Sequence, residues 1–177
     1  MNSEKFKSSH HALRFAFSVI GVPILRISSI NKMRGSSGNG DLNSHDSHAQ
    51  AAIIMSSVET ATDSNCMAYL KAYHGHELNK GSEERAVADI LVRVVVATLP
   101  TGVHPRRGIE KLVRIYFGQN ISMISTRKDL ACNNRRYYEY RDEVCRVLDH
   151  IAARADADAD RALEAAGLIG EEERSLA

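Results

Sequence analysis

Residues 121–148, ISMISTRKDLACNNRRYYEYRDEVCRVL, constrain this chain more than any other stretch. Tyr137, Tyr140, Val144 and Leu148 recur at i, i+3, i+7 and i+11, which is one apolar stripe with a helical period. Upstream, Met123, Thr126 and Leu130 suit the inner face of a shorter helix. Between the two stand Ala131, small enough for a tight turn, Cys132, which points back into the core, and Asn133, a residue type that caps helix N-termini. Two helices joined by so short a connection must cross, so the spacing predicts a helix-turn-helix.

The composition agrees with helices elsewhere. The 177 residues include no Trp, three Pro and 6% aromatics, and Ala is abundant, which favours helix over sheet. A net charge of +1 hides a partition. Residues 104–146 hold ten Lys/Arg against five Asp/Glu, whereas residues 149–177 hold three Arg against eight Asp/Glu. A basic module is therefore followed by an acidic tail. No apolar run approaches the roughly 18 residues of a membrane span, and Arg14, Arg93 and Arg114 interrupt the longest apolar stretches. The patch Phe15–Leu25 has no convincing cleavage site, so no signal peptide and no membrane partner are expected. Three cysteines, Cys66, Cys132 and Cys145, are an odd number without CxxC spacing, which points to a reduced, cytoplasmic setting.

Four segments follow along the chain. Residues 1–46 read as an N-terminal arm, with a short helix over 9–20 that Ser8 or Ser9 caps and Gly21 and Pro23 end. A flexible Gly/Ser linker, GSSGNGDLNSHDS, occupies 35–47. Residues 47–103 read as a helical body with helices over 48–59, 64–74 and 82–99. Their apolar positions are Ala52, Ile53, Ile54 and Met55; then Met67, Leu70 and Tyr73; then Val87, Ile90, Leu91, Val94 and Val95. Asp63 and Ser82 are the caps of the second and third. The β-branched run at 94–96 leaves a strand open, but continuity with the amphipathic half favours a buried helix end. Residues 104–152 form the helix-turn-helix module, introduced by a helix from Pro105 to Phe117 that buries Ile109, Leu112, Val113 and Tyr116 and ends at Gly118. Residues 153–177 form an acidic helical tail that continues a long helix from Asn134 as far as Ala166, with Gly167 as its stop. The expected fold is an all-α bundle of six or seven helices with a long C-terminal helix.

The outer faces of the second motif helix carry Asn134, Arg135, Arg136, Tyr138 and Glu139. These types suit base edges in the major groove: Arg pairs bidentately with guanine, Asn with adenine, and Glu accepts from cytosine. Arg106, Arg107, Lys111, Arg127, Lys128, Asn133 and Arg141 flank them and are placed to grip phosphates. The plain alternative is a solvated charged face. Tyr137 and Tyr140 read as core, Asp142 and Glu143 as surface acids, and the acidic run Asp156, Asp158 and Asp160 as a solvated face or an electrostatic contact. His74 and His76 with Cys66 match no closed zinc spacing, and GSSGNGD lacks the GK[ST] of a phosphate loop. No metal, cofactor or catalytic constellation assembles, so no enzyme activity is expected.

Residues 109–148 resemble region 4 of bacterial primary sigma factors and the related helix-turn-helix of LuxR-type and phage regulators. YFG at 116–118 sits where that class ends its preceding helix. Ala131 stands where the class has Gly, Thr126 where it has an aliphatic residue, and Tyr137 and Tyr140 where it has Val or Ile. In size and layout the chain resembles phage late-gene antitermination regulators of the Q type. That resemblance implies binding to double-stranded DNA near a late promoter. It also implies loading onto bacterial RNA polymerase, with or without its sigma factor, and terminator read-through in the host cytoplasm. The rival expectations are a conventional repressor or activator and a helical adaptor that binds no DNA. The sequence leaves the DNA site and the oligomeric state open.

Overall fold

A computed structural model describes residues 6–20, 44–75, 83–100 and 104–170. Seven helices occupy them: α1 (Ser9–Ile20), α2 (Ser44–Ala61), α3 (Ser64–His74), α4 (Glu83–Thr98), α5 (Arg106–Tyr116), α6 (Met123–Leu130) and α7 (Asn134–Ala165). Among the described residues there is no strand, only an isolated parallel bridge between Phe6 and Ile169. The fold is all-α.

The longest helix organises the rest. The 32 residues of α7 span roughly 48 Å at 1.5 Å per residue, and α7 packs against each of the other six helices. Its buried positions run from Tyr137 through Val144, Leu148 and Ile151 to Ala155, Ala159 and Leu163. They recur at three- and four-residue steps, so one stripe faces the bundle along the whole length. One hydrophobic cluster contains core residues of every helix. The boundary drawn between 152 and 153 falls inside α7, and the acidic run beyond it is the solvent side of a core helix. Gly118 and Gly167 close α5 and α7 with φ of 83° and 68°.

Some helix bounds and faces differ from expectation. α2 begins at Ser44, so residues 44–47 of the expected linker are helical, with Asp46 in the favourable first turn. Residues 35–43, Gly21, Pro23 and Ser82 lie outside the described residues. The buried face of α2 is Ala51, Ile54, Met55 and Val58, at i, i+3, i+4 and i+7, and Ile53 is exposed. In α3 the buried set is Cys66, Ala68, Tyr69, Leu70 and Ala72, whereas Tyr73 is exposed. Packing explains the broad face: α3 is wedged against α4, α7 and α1 at once. α4 stays helical through its valines because Leu91, Val92, Val95 and Leu99 all enter the core, and that burial outweighs their weak helix propensity.

Asp63 caps α3 as its type predicts: Oδ1 accepts from the amides of Asn65 and Cys66 at 2.9 and 2.8 Å. Oδ2 accepts from Arg154 of α7 at 2.7 Å, so the cap also ties two helices together. The backbone amide of Cys66, foremost, holds the carboxyl below the ordinary aspartate value of 3.8. A carboxyl depressed in the folded state stabilises above its unfolded value and loses that contribution as pH falls through the folded one. Asp63→Ala should therefore cost about 1 kcal/mol at neutral pH. In urea titrations the gap between variant and parent should close as pH drops below 3.8. A gap that persists unchanged in strong acid would show that the carboxylate is not its source.

Candidate nucleic-acid interface

α5 is the scaffold of the motif. Ile109, Leu112 and Val113 are buried, and Arg106, Arg107, Glu110, Lys111 and Arg114 take the other side. Gly108 is buried too, where α5 meets the end of α6. A Cβ there would lie 2.5 Å from Cγ and Cδ2 of Leu130 and 2.9 Å from its backbone nitrogen. The absence of a side chain is what lets α6 dock this closely.

α6 begins after Ser122, whose carbonyl accepts from the hydroxyl of Thr126 at 3.0 Å. Thr126 is fully buried, and this backward bond satisfies its polar atom inside the core. Ala131 then turns the chain with φ 49° and ψ 44°. The amide of Ala131 donates to Lys128 and that of Cys132 to Arg127, each at 3.2 Å, a Schellman closure. Glycine is the usual residue here for conformational freedom. Alanine holds the same left-handed geometry at a cost of about 1 kcal/mol. Asn133 caps α7, its Oδ1 accepting from the amide of Arg136 at 2.9 Å.

Beyond that cap Asn134, Arg135, Arg136, Tyr138 and Arg141 are exposed and Glu139 is half-exposed. Asn134, Tyr138 and Arg141 share one face at i, i+4 and i+7. Arg135 Nε and Arg136 Nη1 both reach Glu139, at 3.2 and 2.7 Å. The two guanidiniums, Arg136 foremost, hold that carboxyl below its usual range. Arg136 also covers the ring of Tyr140 at 4.8 Å, and Arg141 covers Tyr138 at 5.0 Å. Tyr140 itself is half-buried and donates to His104 Nδ1 at 3.3 Å, while His104 Nε2 donates to the Pro100 carbonyl at 2.7 Å. The Tyr140 hydroxyl is thereby satisfied at the α4–α5 connection while its ring stays half-buried.

The flanking cations divide into two groups. Lys111 turns inward to Asp129 at 2.6 Å and Ser125 at 2.5 Å, which bolts α5 to α6. Arg107 shares the same carboxylate at 3.4 Å. Arg106 pairs with Asp89 of α4 at 2.9 Å. Arg127 and Lys128, by contrast, have no ion-pair partner among the described residues. They border a shallow hollow of about 510 Å³ at the turn, together with Ile124, Ala131, Cys132 and Asn133. The Nε of Arg127 is buried there without a hydrogen-bond partner.

The acids therefore leave a definite surplus. Asp129 is shared by two cations and Glu139 by two, and Arg127 and Lys128 are unpaired. Most of the module's net positive charge lies around the α6–α7 turn. Sequence spacing makes the Glu139 clamp legible, since its partners are three and four residues away. The Asp129 clamp bridges positions 18 apart, and nothing local signals it. Gly108 likewise carries no local signal of its contact with Leu130.

Cys66 is buried, and that burial pushes its thiol up to about 11, far from a nucleophile's range. Cys132 and Cys145 are half-buried. Among the described residues no group of three or more His, Cys, Asp or Glu side chains could hold a metal ion. His76 lies outside them. No described helix is long and apolar enough to cross a membrane. No protein-family model, curated protein or solved structure matches this chain.

Proposed function

We propose that this protein binds duplex DNA through α6 and the start of α7 and regulates transcription in a bacterial cytoplasm. The observation that carries the reading is the coincidence of a tightly closed helical turn with the charge surplus gathered around it. Asn134, Arg135, Arg136, Tyr138 and Glu139 are the base-reading set. Arg127, Lys128, Arg107 and Arg141 are the phosphate set. Lys111 and Arg106, engaged with Asp129 and Asp89, act through the packing of α5, and Asn133 acts as the cap. Glu139 holds Arg135 and Arg136 along the surface of α7, and a guanine or phosphate must compete with it for them. The resemblance of residues 109–148 to sigma region 4 supports the narrower reading, a phage antitermination factor that travels with RNA polymerase.

A salt titration on duplex DNA tests the first step. About four neutralised phosphates give a slope near −4 in log affinity against log salt. Arg135→Ala should cost roughly 1–3 kcal/mol and relax preference at one base pair, whereas Lys128→Ala should weaken all sequences alike. Identical behaviour of the two variants would undo the division of roles. No duplex binding at low salt would favour the adaptor reading. Read-through of a terminator by purified polymerase, with and without the protein, separates antitermination from ordinary repression or activation.

A further inference from the structure

On another face, α1, α3 and the end of α5 enclose an open cleft of about 640 Å³. Its walls are unusual for this chain. Of its six Tyr and four Phe, Tyr69, Tyr73, Tyr116 and Phe117 line this one cleft. Tyr69 and Tyr73 are nearly parallel, with centroids 5.9 Å apart, and Tyr69 meets Phe117 at 5.5 Å. His10 and Tyr73 each approach His74 at 4.9 Å, so aromatic rings run across the seam between α1 and α3. A cluster that served only as glue would bury its rings, yet Tyr73 is 49% exposed.

Charge narrows the ligand. Arg14, an exposed residue with no ion-pair partner among the described residues, contributes to the lining. Two carboxylates of α7, both exposed, lie outside the lining. Asp149 already accepts from the Tyr116 hydroxyl at 2.7 Å, and Asp156 is within electrostatic reach of His10. Arg14 repels a cationic ligand and attracts an anionic one, while the tyrosine faces attract a planar ring. The volume is within the usual range for small-ligand sites.

We propose that this cleft binds a nucleobase carrying a phosphate, the ring stacking on Tyr73 and the phosphate meeting Arg14. The proposal is independent of duplex binding by α6 and α7. The same chemistry arrives either as a free mononucleotide or as an unpaired nucleotide in a single strand. The full chain is titrated with AMP, GMP, CMP and UMP, with adenosine and inorganic phosphate as half-ligands, and with a short unstructured oligonucleotide. The expected result is saturable binding of at least one mononucleotide, tighter than either half-ligand, or saturable binding of the strand alone. The first outcome identifies free nucleotide as the source, and the second identifies unpaired strand. Tyr73→Ala and Arg14→Ala should each weaken binding about tenfold, and Tyr73→Phe should retain it. Both positions are exposed, and circular dichroism checks that the variants fold. Absence of saturable binding to every probe overturns the proposal. So does binding that Tyr73→Ala and Arg14→Ala both leave intact, including strand binding held elsewhere on the molecule.

Discussion

Gly108→Ala is expected to lower the stability of the protein by about 3 kcal/mol, the upper part of the range for overpacking. The added methyl would meet Leu130 at 2.5 Å in its side chain and 2.9 Å at its backbone nitrogen. The side chain can rotate away, but the backbone nitrogen can retreat only if α6 moves. Helix propensity works in the opposite direction, since alanine is favoured over glycine by about 1 kcal/mol in a helix, so a net loss isolates the clash. For a chain of this length the midpoint of thermal unfolding should fall by roughly ten degrees. A Gly108→Ala/Leu130→Ala double variant relieves only the side-chain part of the clash. Its loss should therefore be smaller than the sum of the two single losses. A Gly108→Ala variant as stable as the parent would refute the close approach of α5 and α6. Duplex affinity should fall with the same substitution, because α6 carries Arg127 and Lys128 and sets their position against α7.

Leu163→Ala is expected to cost about 2–5 kcal/mol, although it lies among acidic residues near the end of α7. Leu163 is fully buried, as are Ala155 and Ala159 on the same stripe. Asp160, three residues earlier, is exposed, and Asp160→Ala should change stability by no more than about 0.5 kcal/mol. Chemical denaturation of the two variants is a direct comparison of a core helix with an appended tail. Equal, small effects from both would mean that residues 153–165 hang free of the bundle. The tie between Arg154 and Asp63 and the bridge between Phe6 and Ile169 fasten the same region from two other directions.

Much of the helical plan was readable. Ser9–Ile20 and Ser64–His74 form where apolar spacing and capping residues placed them, and α5 matches to within a residue at each end. Asp63 and Asn133 cap the helices that follow them, because an N-cap needs only an acceptor on the right residue type and amides two or three positions ahead. Spacing along one helix misleads where a helix face has several neighbours. The spacing with Leu70 places Tyr73 inward, yet the core lies on the side of Tyr69 and Ala72. Ile53 and Ile54 are adjacent and equally apolar, and only the position of the bundle decides which of them is buried.

The site divides in the same way. Asn134, Arg135, Arg136, Tyr138 and Arg141 are exposed as helical periodicity implies. The flanking cations look alike in sequence, but Lys111 is locked on Asp129 and Ser125 while Lys128 is left to solvent. A charge count over residues 104–146 gives the surplus without saying which side chains carry it.

The sequence by itself determined the all-α class, the order of the helices, the caps Asp63 and Asn133, the stops Gly118 and Gly167, and the start of the α7 stripe at Tyr137, Val144 and Leu148. Those features depend on residues within about one helical turn of each other. Only the tertiary structure decided that the acidic end of α7 belongs to the core, that Gly108 receives Leu130, which cations remain outward, and that aromatic rings of α1, α3 and α5 meet around one cleft. Each of these joins residues that are distant in the chain. The free energy of such contacts depends on through-space distance and shared burial, which residue spacing along one helix does not encode.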